Sequence, residues 1–298
     1  MIGGIEAGGT KFVLAVGPTP TEIAAHHVIP TRSPEETLAE AGDWFAAQGA
    51  IDALGIASFG PVDFDRASPT WGHITRTPKP GWSNCDLAGH FARRLGVPVG
   101  FDTDVNGAAL AEAHHGLGHF GCGQRAGRGL SSLAYVTVGT GIGGGLVLGG
   151  QPVHGAAHPE MGHVFVRRGA EDTDFAGHCP IHGDCLEGLA SGPAIIARWG
   201  QSLSHLPPDH PAHRTVAGYL AQLCYNLFAM TAVEVVVLGG GVTKAPGLID
   251  RVREATRALV GDYLPGSARH RIEAPGLGEN SGLTGALMLA EAARKPAV

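Results

Sequence analysis

Three glycine turns, each placed directly behind an apolar β-like run, constrain this chain more than any other feature. IGGIEA at 2–7 runs into Gly8-Gly9-Thr10-Lys11, and AYVTV at 134–138 runs into Gly139-Thr140-Gly141-Ile142-Gly143-Gly144. VEVVVL at 233–238 runs into Gly239-Gly240-Gly241. Without a Cβ in the way, backbone N–H groups in such turns can converge on phosphate oxygens. The first two turns add a hydroxyl and the first adds a cation. One such turn reads as a plain hairpin; three behind three β-runs read as a phosphate-binding device. Glycine is 47 of 298 residues, roughly twice the usual share of about 7%, yet no three-residue period makes the chain collagen-like. The first two units of β-run, turn and β-run lie about 130 residues apart and look like one device used twice.

One pattern is a decoy. Gly139-x-Gly141-x-x-Gly144, with Glu160 downstream, formally matches a dinucleotide fingerprint, but that fingerprint needs a helix opening at the loop. GLVLGGQPV follows instead and is strand-like. No GxxxxGK[ST] stretch occurs, which also sets aside a P-loop NTPase.

At 44% apolar and 16% charged residues, the chain can bury a substantial core, and its length suits about two domains. Strand-like and helix-like segments mix throughout, which predicts the α/β class. A helix is expected over DLAGHFARR at 86–94 with Asp86 as its N-cap. The strand VPVGFD at 97–102 should lead into a helix starting near Thr103. One helix is expected to begin in LEGLASGPAIIARWG at 186–200, and a long amphipathic one to cover 213–230. A further helix at 244–260 carries Leu248, Ile249, Val252 and Leu259 at helical spacing, and 281–294 closes the chain as a helix. The polar, glycine-rich stretch 118–132 is where the lobe boundary is placed. The apolar face at 213–230 suits a subunit contact or the core equally well.

The formal charge of 21 − 27 = −6 argues against a main role on nucleic acid or an anionic membrane. The first residues lack a basic n-region and an apolar h-region, and no apolar run approaches the ~18 residues of a membrane span. A cytoplasmic protein is expected. Its five cysteines, Cys85, Cys122, Cys179, Cys185 and Cys224, are an odd set better suited to reduced thiols or metal than to a disulfide framework.

Two constellations carry chemistry. Asp104 sits where a strand gives way to a helix, a place that aims side chains into clefts and favours an anion; taken alone, the spacing favours Asp102 or Asp104 as a mere cap of that helix. His163, Cys179, His182 and Cys185 offer four ligands, three of them in a short CxxHxxC loop, and Zn²⁺ takes four such ligands tetrahedrally in structural sites. A Cys179–Cys185 disulfide is the competing reading, and His158 and His178 are neighbouring spares.

GIEAGGTK, SFGPV, TPKPGW, DTDVNGAAL, VTVGTGIGGG, HPEMGH, CPIHGDCLEGLASGPA and VVLGGG together resemble the ROK family, over about residues 2 to 290. Within it the chain looks most like the zinc-containing bacterial fructokinase branch. The resemblance implies a two-lobed, actin-like ATPase (ribonuclease H-like) fold with a central cleft, a smaller lobe of 1–118 plus 281–298, and a larger lobe of 119–280. ATP would lie between lobes and sugar deep in the cleft, with a lid closing over them.

The resemblance also implies an ATP- and Mg²⁺-dependent hexose kinase, fructose before mannose or glucose, and a homodimer; a sugar sensor without turnover is the rival from another class. The family's catalytic Asp aligns with Asp104, leaving Asp102 a strand-end residue. Positions matching Glu160, His163 and Glu187 touch sugar there, and Gly239, Gly240 and Gly241 would border adenosine. Gly8, Gly9, Thr10 and Lys11 with Gly139, Thr140, Gly141 and Gly143 would hold phosphates, and Zn²⁺ would fix the loop bearing Glu160 and Glu187. Two departures stand out. Thr103 replaces a frequent Asn that contacts sugar, which favours the fructokinase branch. Glu6 replaces a frequent Asp, leaving its role open. With the first loop beginning by residue 8, the family's DNA-binding repressor branch is not expected.

Overall fold

The structure is a computed structural model that describes residues 1–117, 130–169 and 172–294. Its elements in chain order are β1 (Ile2–Ala7), β2 (Lys11–Gly17), β3 (Ala25–Pro30), α1 (Pro34–Ala47), β4 (Ala53–Ser58), β5 (His73–Ile74), β6 (Cys85–Asp86), α2 (Leu87–Leu95), β7 (Val99–Thr103) and α3 (Asp104–His114). There follow β8 (Ser132–Val138), β9 (Ile142–Leu148), β10 (Gln151–Pro152), α4 (Leu186–Ala190), α5 (Gly192–Trp199), α6 (Ala212–Thr231), β11 (Val235–Gly239), α7 (Leu248–Val260), β12 (Arg271–Glu273) and α8 (Ser281–Arg294). The described residues divide into two compact units, 1–117 with 152–158 and 279–294, and 130–151 with 159–278. Most of the stretch assigned to the lobe boundary, with Cys122 in it, lies outside the described residues.

The sheet of the first unit runs β3-β2-β1-β4-β7, with β1 antiparallel to β2 and β1, β4 and β7 parallel. Both its faces are covered. Ile5, Phe12, Leu14 and Ile56 join the large core with Phe45, Trp82 and Phe91. Ile2, Ala15 and Ala53 meet Leu283, Leu287 and Ala290 of α8 on the other side. Small residues on the second face make that approach possible: a Cβ on Gly55 would run into the Ala286 carbonyl of α8. Helix α1 is set by a capping box, Ser33 with Glu36, and by Pro34 in its first turn. As expected, Asp86 caps α2, accepting the Gly89 N–H at 2.9 Å.

The second unit repeats the arrangement as β10-β9-β8-β11-β12, again an antiparallel hairpin followed by two strands parallel to its first. The strand-turn-strand device noted in the sequence thus opens both sheets. Here α6 buries Val216, Leu220, Leu223 and Leu227 inside its own unit, so its apolar face serves the core. The helix expected from 186 is two helices: Ser191 turns extended, with φ −69° and ψ 162°, ends α4 and caps α5, whose first turn contains Pro193. On α7, Leu248 and Val252 are buried but Leu259 faces solvent. Among the described residues no helix is long and apolar enough to cross a membrane.

Candidate active site

In the first unit, β1 passes to β2 through a tight turn in which the Gly8 N–H donates to the Lys11 carbonyl at 2.9 Å. The Thr31 hydroxyl donates to the Gly8 carbonyl at 2.7 Å, and the Thr31 N–H donates to the Thr10 carbonyl at 2.9 Å. These bonds tie the turn's carbonyls back to the chain after β3, and Gly9, Thr10 and Lys11 are exposed. Next to the turn on β1, Glu6 lies against Gly282 of α8. Burial, and then the negative charge of Asp104, push the Glu6 carboxyl up to about 7 against the pull of Lys11.

Asp104 stands on the first turn of α3, its Oδ1 accepting the Val105 N–H at 2.9 Å. The cap of this helix is neither aspartate: the Thr103 hydroxyl accepts the Asn106 N–H at 3.1 Å. Thr103 is itself buried. Asp102, only 2% exposed, takes a bracing role. Its Oδ1 accepts the Thr103 N–H at 2.7 Å and the Asn106 side-chain amide at 2.8 Å. Its Oδ2 lies 2.9 Å from His154 Nε2. The His154 ring packs on Phe64, centroids 4.2 Å apart.

The hydrogen bond to Asp102 raises the His154 pKa, against the effect of burial. A raised imidazole contributes stability that is fully present below its ordinary value near 6.5 and is lost as pH rises through its folded value. The denaturation midpoint of the wild type is therefore expected to lose its advantage over His154→Gln as pH climbs above neutrality. Glu6 titrates in both proteins and cancels. A gap that stays constant from acid to alkaline pH would rule out the charged pair.

In the second unit, Gly139, Thr140 and Gly141 link β8 to β9. The Gly139 N–H donates to the Gly141 carbonyl at 2.9 Å, and the Gly139 carbonyl accepts the Gly192 N–H of α5 at 2.8 Å. Gly143 falls within β9, opposite Thr137. Glu187 of α4 accepts the Ile142 N–H at 2.9 Å; the carboxylate assigned to sugar also braces the base of this turn. Gly239 ends β11, beside the end of β8. Gly240 then adopts φ +92° and passes so close to β8 that a Cβ would sit 2.6 Å from the Val138 nitrogen. The second and third glycine turns therefore leave neighbouring parallel strands and sit side by side, with Gly241 continuing into the turn at Val242–Lys244.

His163, Cys179, His182 and Cys185 come together in the same unit. His163 Nδ1 lies 3.4 Å from His182 Nδ1, 3.8 Å from Cys179 Sγ and 3.6 Å from Cys185 Sγ. Cys179 Sγ is 3.9 Å from His182 Nδ1. Zinc bonds of ~2.0–2.1 Å to nitrogen and ~2.3 Å to sulfur give tetrahedral edges of about 3.3–3.8 Å, so the donor set fits Zn²⁺. The two cysteines are unbridged. Burial pushes the Cys185 thiol up to about 11, so metal uptake would displace its proton. Neither spare histidine is among the four residues that converge; His158 Nε2 accepts the Val62 N–H at 3.2 Å in the first unit. Glu160 is exposed, and its carbonyl accepts the His163 N–H at 3.0 Å.

Two participants were not singled out in the sequence. Asn106 stands on the first turn of α3 with Asp104 and reaches back four residues to Asp102 at the end of β7, a spacing legible in the sequence. His154 lies 52 residues from Asp102 and gave no local signal.

A model of the ROK family matches residues 2–293. The chain is 45% identical over 299 residues to the fructokinase of Zymomonas mobilis, covering 98% of this chain and 96% of that one. It is 38% identical to the fructokinase of Pediococcus pentosaceus, over the whole of both chains. Among solved structures, the ROK hexokinase from Thermus thermophilus superposes with a TM-score of 0.77 at 31% identity, covering 98% of each chain.

Proposed function

The chain belongs to the ROK family, and from that membership we propose that it transfers the terminal phosphoryl group of ATP to fructose, giving fructose 6-phosphate. It has the actin-like ATPase fold of ROK kinases and is an ATP-dependent sugar kinase. The observation that carries the reading is full-length identity of 45% to one fructokinase and 38% to another.

The roles proposed for individual residues follow from phosphoryl-transfer chemistry, which rests on positioning, charge neutralisation and a proton acceptor. Asp104 would take the proton from the sugar hydroxyl as its oxygen attacks the γ-phosphorus. In the first unit the exposed turn Gly9, Thr10 and Lys11, anchored through Gly8, would meet phosphate oxygens. In the second, Gly139, Thr140, Gly141 and Gly143 would do the same, and Gly239, Gly240 and Gly241 would border the adenosine. Mg²⁺ supplies neutralisation of phosphate charge when bound. A half-buried carboxylate under the repulsion of a second one suits such a cation, so Glu6 would face it directly or through water. Glu160, His163, Glu187 and the Thr103 hydroxyl would orient the sugar. Zn²⁺, held by His163, Cys179, His182 and Cys185, would fix the loop that carries the two glutamates. A homodimer would use surfaces other than the apolar face of α6, which is buried within its unit.

The substrate is tested by assaying fructose, glucose, mannose and N-acetylmannosamine side by side with ATP. Fructose is expected to give the highest kcat/KM by at least about 10-fold, the scale on which a few altered pocket contacts discriminate. Equal or better use of glucose or mannose would replace fructokinase by a broader hexokinase. Sugar binding without any ATP turnover would replace the enzyme by a sensor.

A further inference from the structure

The glycine turns and the His/Cys cluster leave one cavity of the second unit without a role. It measures about 490 Å³, the size of a small-ligand pocket and far more than one water needs. The second half of α7, the segment 267–270 and β12 form its walls, and Phe228 of α6 closes it. β12 pairs with Val235, Val236 and Val237, whereas the Gly239 turn leaves the other end of β11. The cavity is thus apart from the turns assigned to nucleotide.

Its polar lining is unbalanced. Three arginines, Arg253, Arg257 and Arg271, face one glutamate, Glu273, in a chain whose formal charge is −6. Arg253 is fully engaged: it donates to the Ile272 carbonyl, to Asp250 and to Glu273, each at 2.7 Å. That bridge neutralises Glu273 and leaves Arg257 and Arg271, whose guanidinium groups have no ion-pair partner among the described residues.

A second observation is independent of charge. Thr256 is 3% exposed and lines the cavity, yet its hydroxyl has no hydrogen-bond partner, and His270 Nδ1 is likewise buried without one. Buried polar atoms are nearly always paired, so two orphans in one cavity call for an occupant. The His270 ring lies flat on Phe228, centroids 4.3 Å apart and planes 3° from parallel. Burial, together with the charge of Arg269, lowers its pKa, so the ring offers a hydrogen bond rather than a charge.

We propose that this cavity is a binding site for a small phosphorylated metabolite, a phosphate monoester neutralised by Arg257 and Arg271 and hydrogen-bonded by Thr256 and His270. Two guanidinium groups match a phosphate dianion, which offers three acceptor oxygens to arginine forks and to a hydroxyl. The volume left over takes the carbon skeleton of the ester, which bare phosphate would leave empty.

The test is calorimetric titration of the full chain, held saturated with fructose and a non-hydrolysable ATP analogue so that the turns are occupied. Fructose 6-phosphate and glycerol 3-phosphate are the probes, and malate is the carboxylate control. At least one phosphate ester is expected to bind once per chain. The double variant Arg257→Gln, Arg271→Gln should weaken that binding at least about 10-fold, and Thr256→Val, which keeps the shape and removes the hydroxyl, should weaken it several-fold. Basal fructose phosphorylation should not change, since none of the three residues belongs to the proposed active site. Absence of binding by both esters overturns the site, as does malate binding as tightly, or ester binding indifferent to the arginine pair. Thr256→Val must melt as the wild type does; if it unfolds, the arginine variant alone decides. Failure of the kinase reading would show separately, as absent turnover with the arginine-dependent binding intact.

Discussion

Replacing Asp104 with Asn is expected to lower kcat at least about 100-fold, close to 2.7 kcal/mol of transition-state stabilisation, while the protein folds and binds sugar as before. The separation of the two effects follows from the geometry. An Asn side chain keeps an oxygen where Oδ1 accepts the Val105 N–H, so the first turn of α3 retains that bond. The cap comes from Thr103, and the brace from Asp102 with Asn106 and His154; neither uses Asp104. What the amide cannot do is accept the hydroxyl proton. Steady-state kinetics with a thermal melt checks both halves, and near-normal turnover would remove Asp104 from the role of base.

The same variant makes a second reading available through Glu6. With its carboxyl raised from 4.5 to about 7, Glu6 contributes stability that is fully present below 4.5 and is lost as pH rises through about 7. Asp104 is one cause of that rise, after burial. Removing its charge should therefore shrink the loss of stability across this window without abolishing it. If the pH dependence is unchanged in the variant, the two carboxylates do not face one another.

Local features were legible in the sequence because their causes are local. Glycines behind β-runs announced the turns, Asp86 announced its helix, and the spacing of Cys179, His182 and Cys185 announced side chains that converge in one loop. The helix break at Ser191 is not legible in the apolar periodicity, which continues across it; Pro193 two residues later is the local warning. Ser33 and Glu36 spell a capping box that marks the start of α1 in the sequence itself. Other relations have no local cause at all. Glu187 meets Ile142 across 45 residues and His154 meets Asp102 across 52, and neither backbone periodicity nor propensity carries information over such distances. The exposure of Leu259 belongs here too: helical spacing placed it with Leu248 and Val252, and only the extent of the neighbouring elements decides how far along α7 the core reaches.

Cys179→Ser is expected to abolish zinc binding and to destabilise the second unit. Cys179 is 7% exposed, lies 3.8 Å and 3.9 Å from the two imidazole nitrogens and accepts the His182 N–H at 3.5 Å. Its sulfur thus shapes the loop as well as offering a ligand. Serine keeps the Cβ methylene but offers zinc a hard, protonated oxygen and leaves three ligands of four. Zinc sites of this kind contribute about 10–16 kcal/mol in small peptides that fold only with metal. A loop attached to a formed sheet draws on a fraction of that, and each kcal/mol lost lowers Tm by about 2–4 °C at this size.

Chelating zinc from the wild type should reproduce the variant's Tm, and added zinc should restore the wild type alone. Metal analysis that finds Cys179→Ser fully loaded would reject the ligand set. The kinetic consequence separates a functional brace from a mere staple. His163 lies three residues from Glu160, and Cys185 two from Glu187. Because Glu187 also holds the Ile142 N–H beneath the second glycine turn, relaxing the loop should raise KM for ATP together with KM for sugar. Loss of zinc that lowers Tm but leaves both KM values unchanged would confine the ion to a structural role.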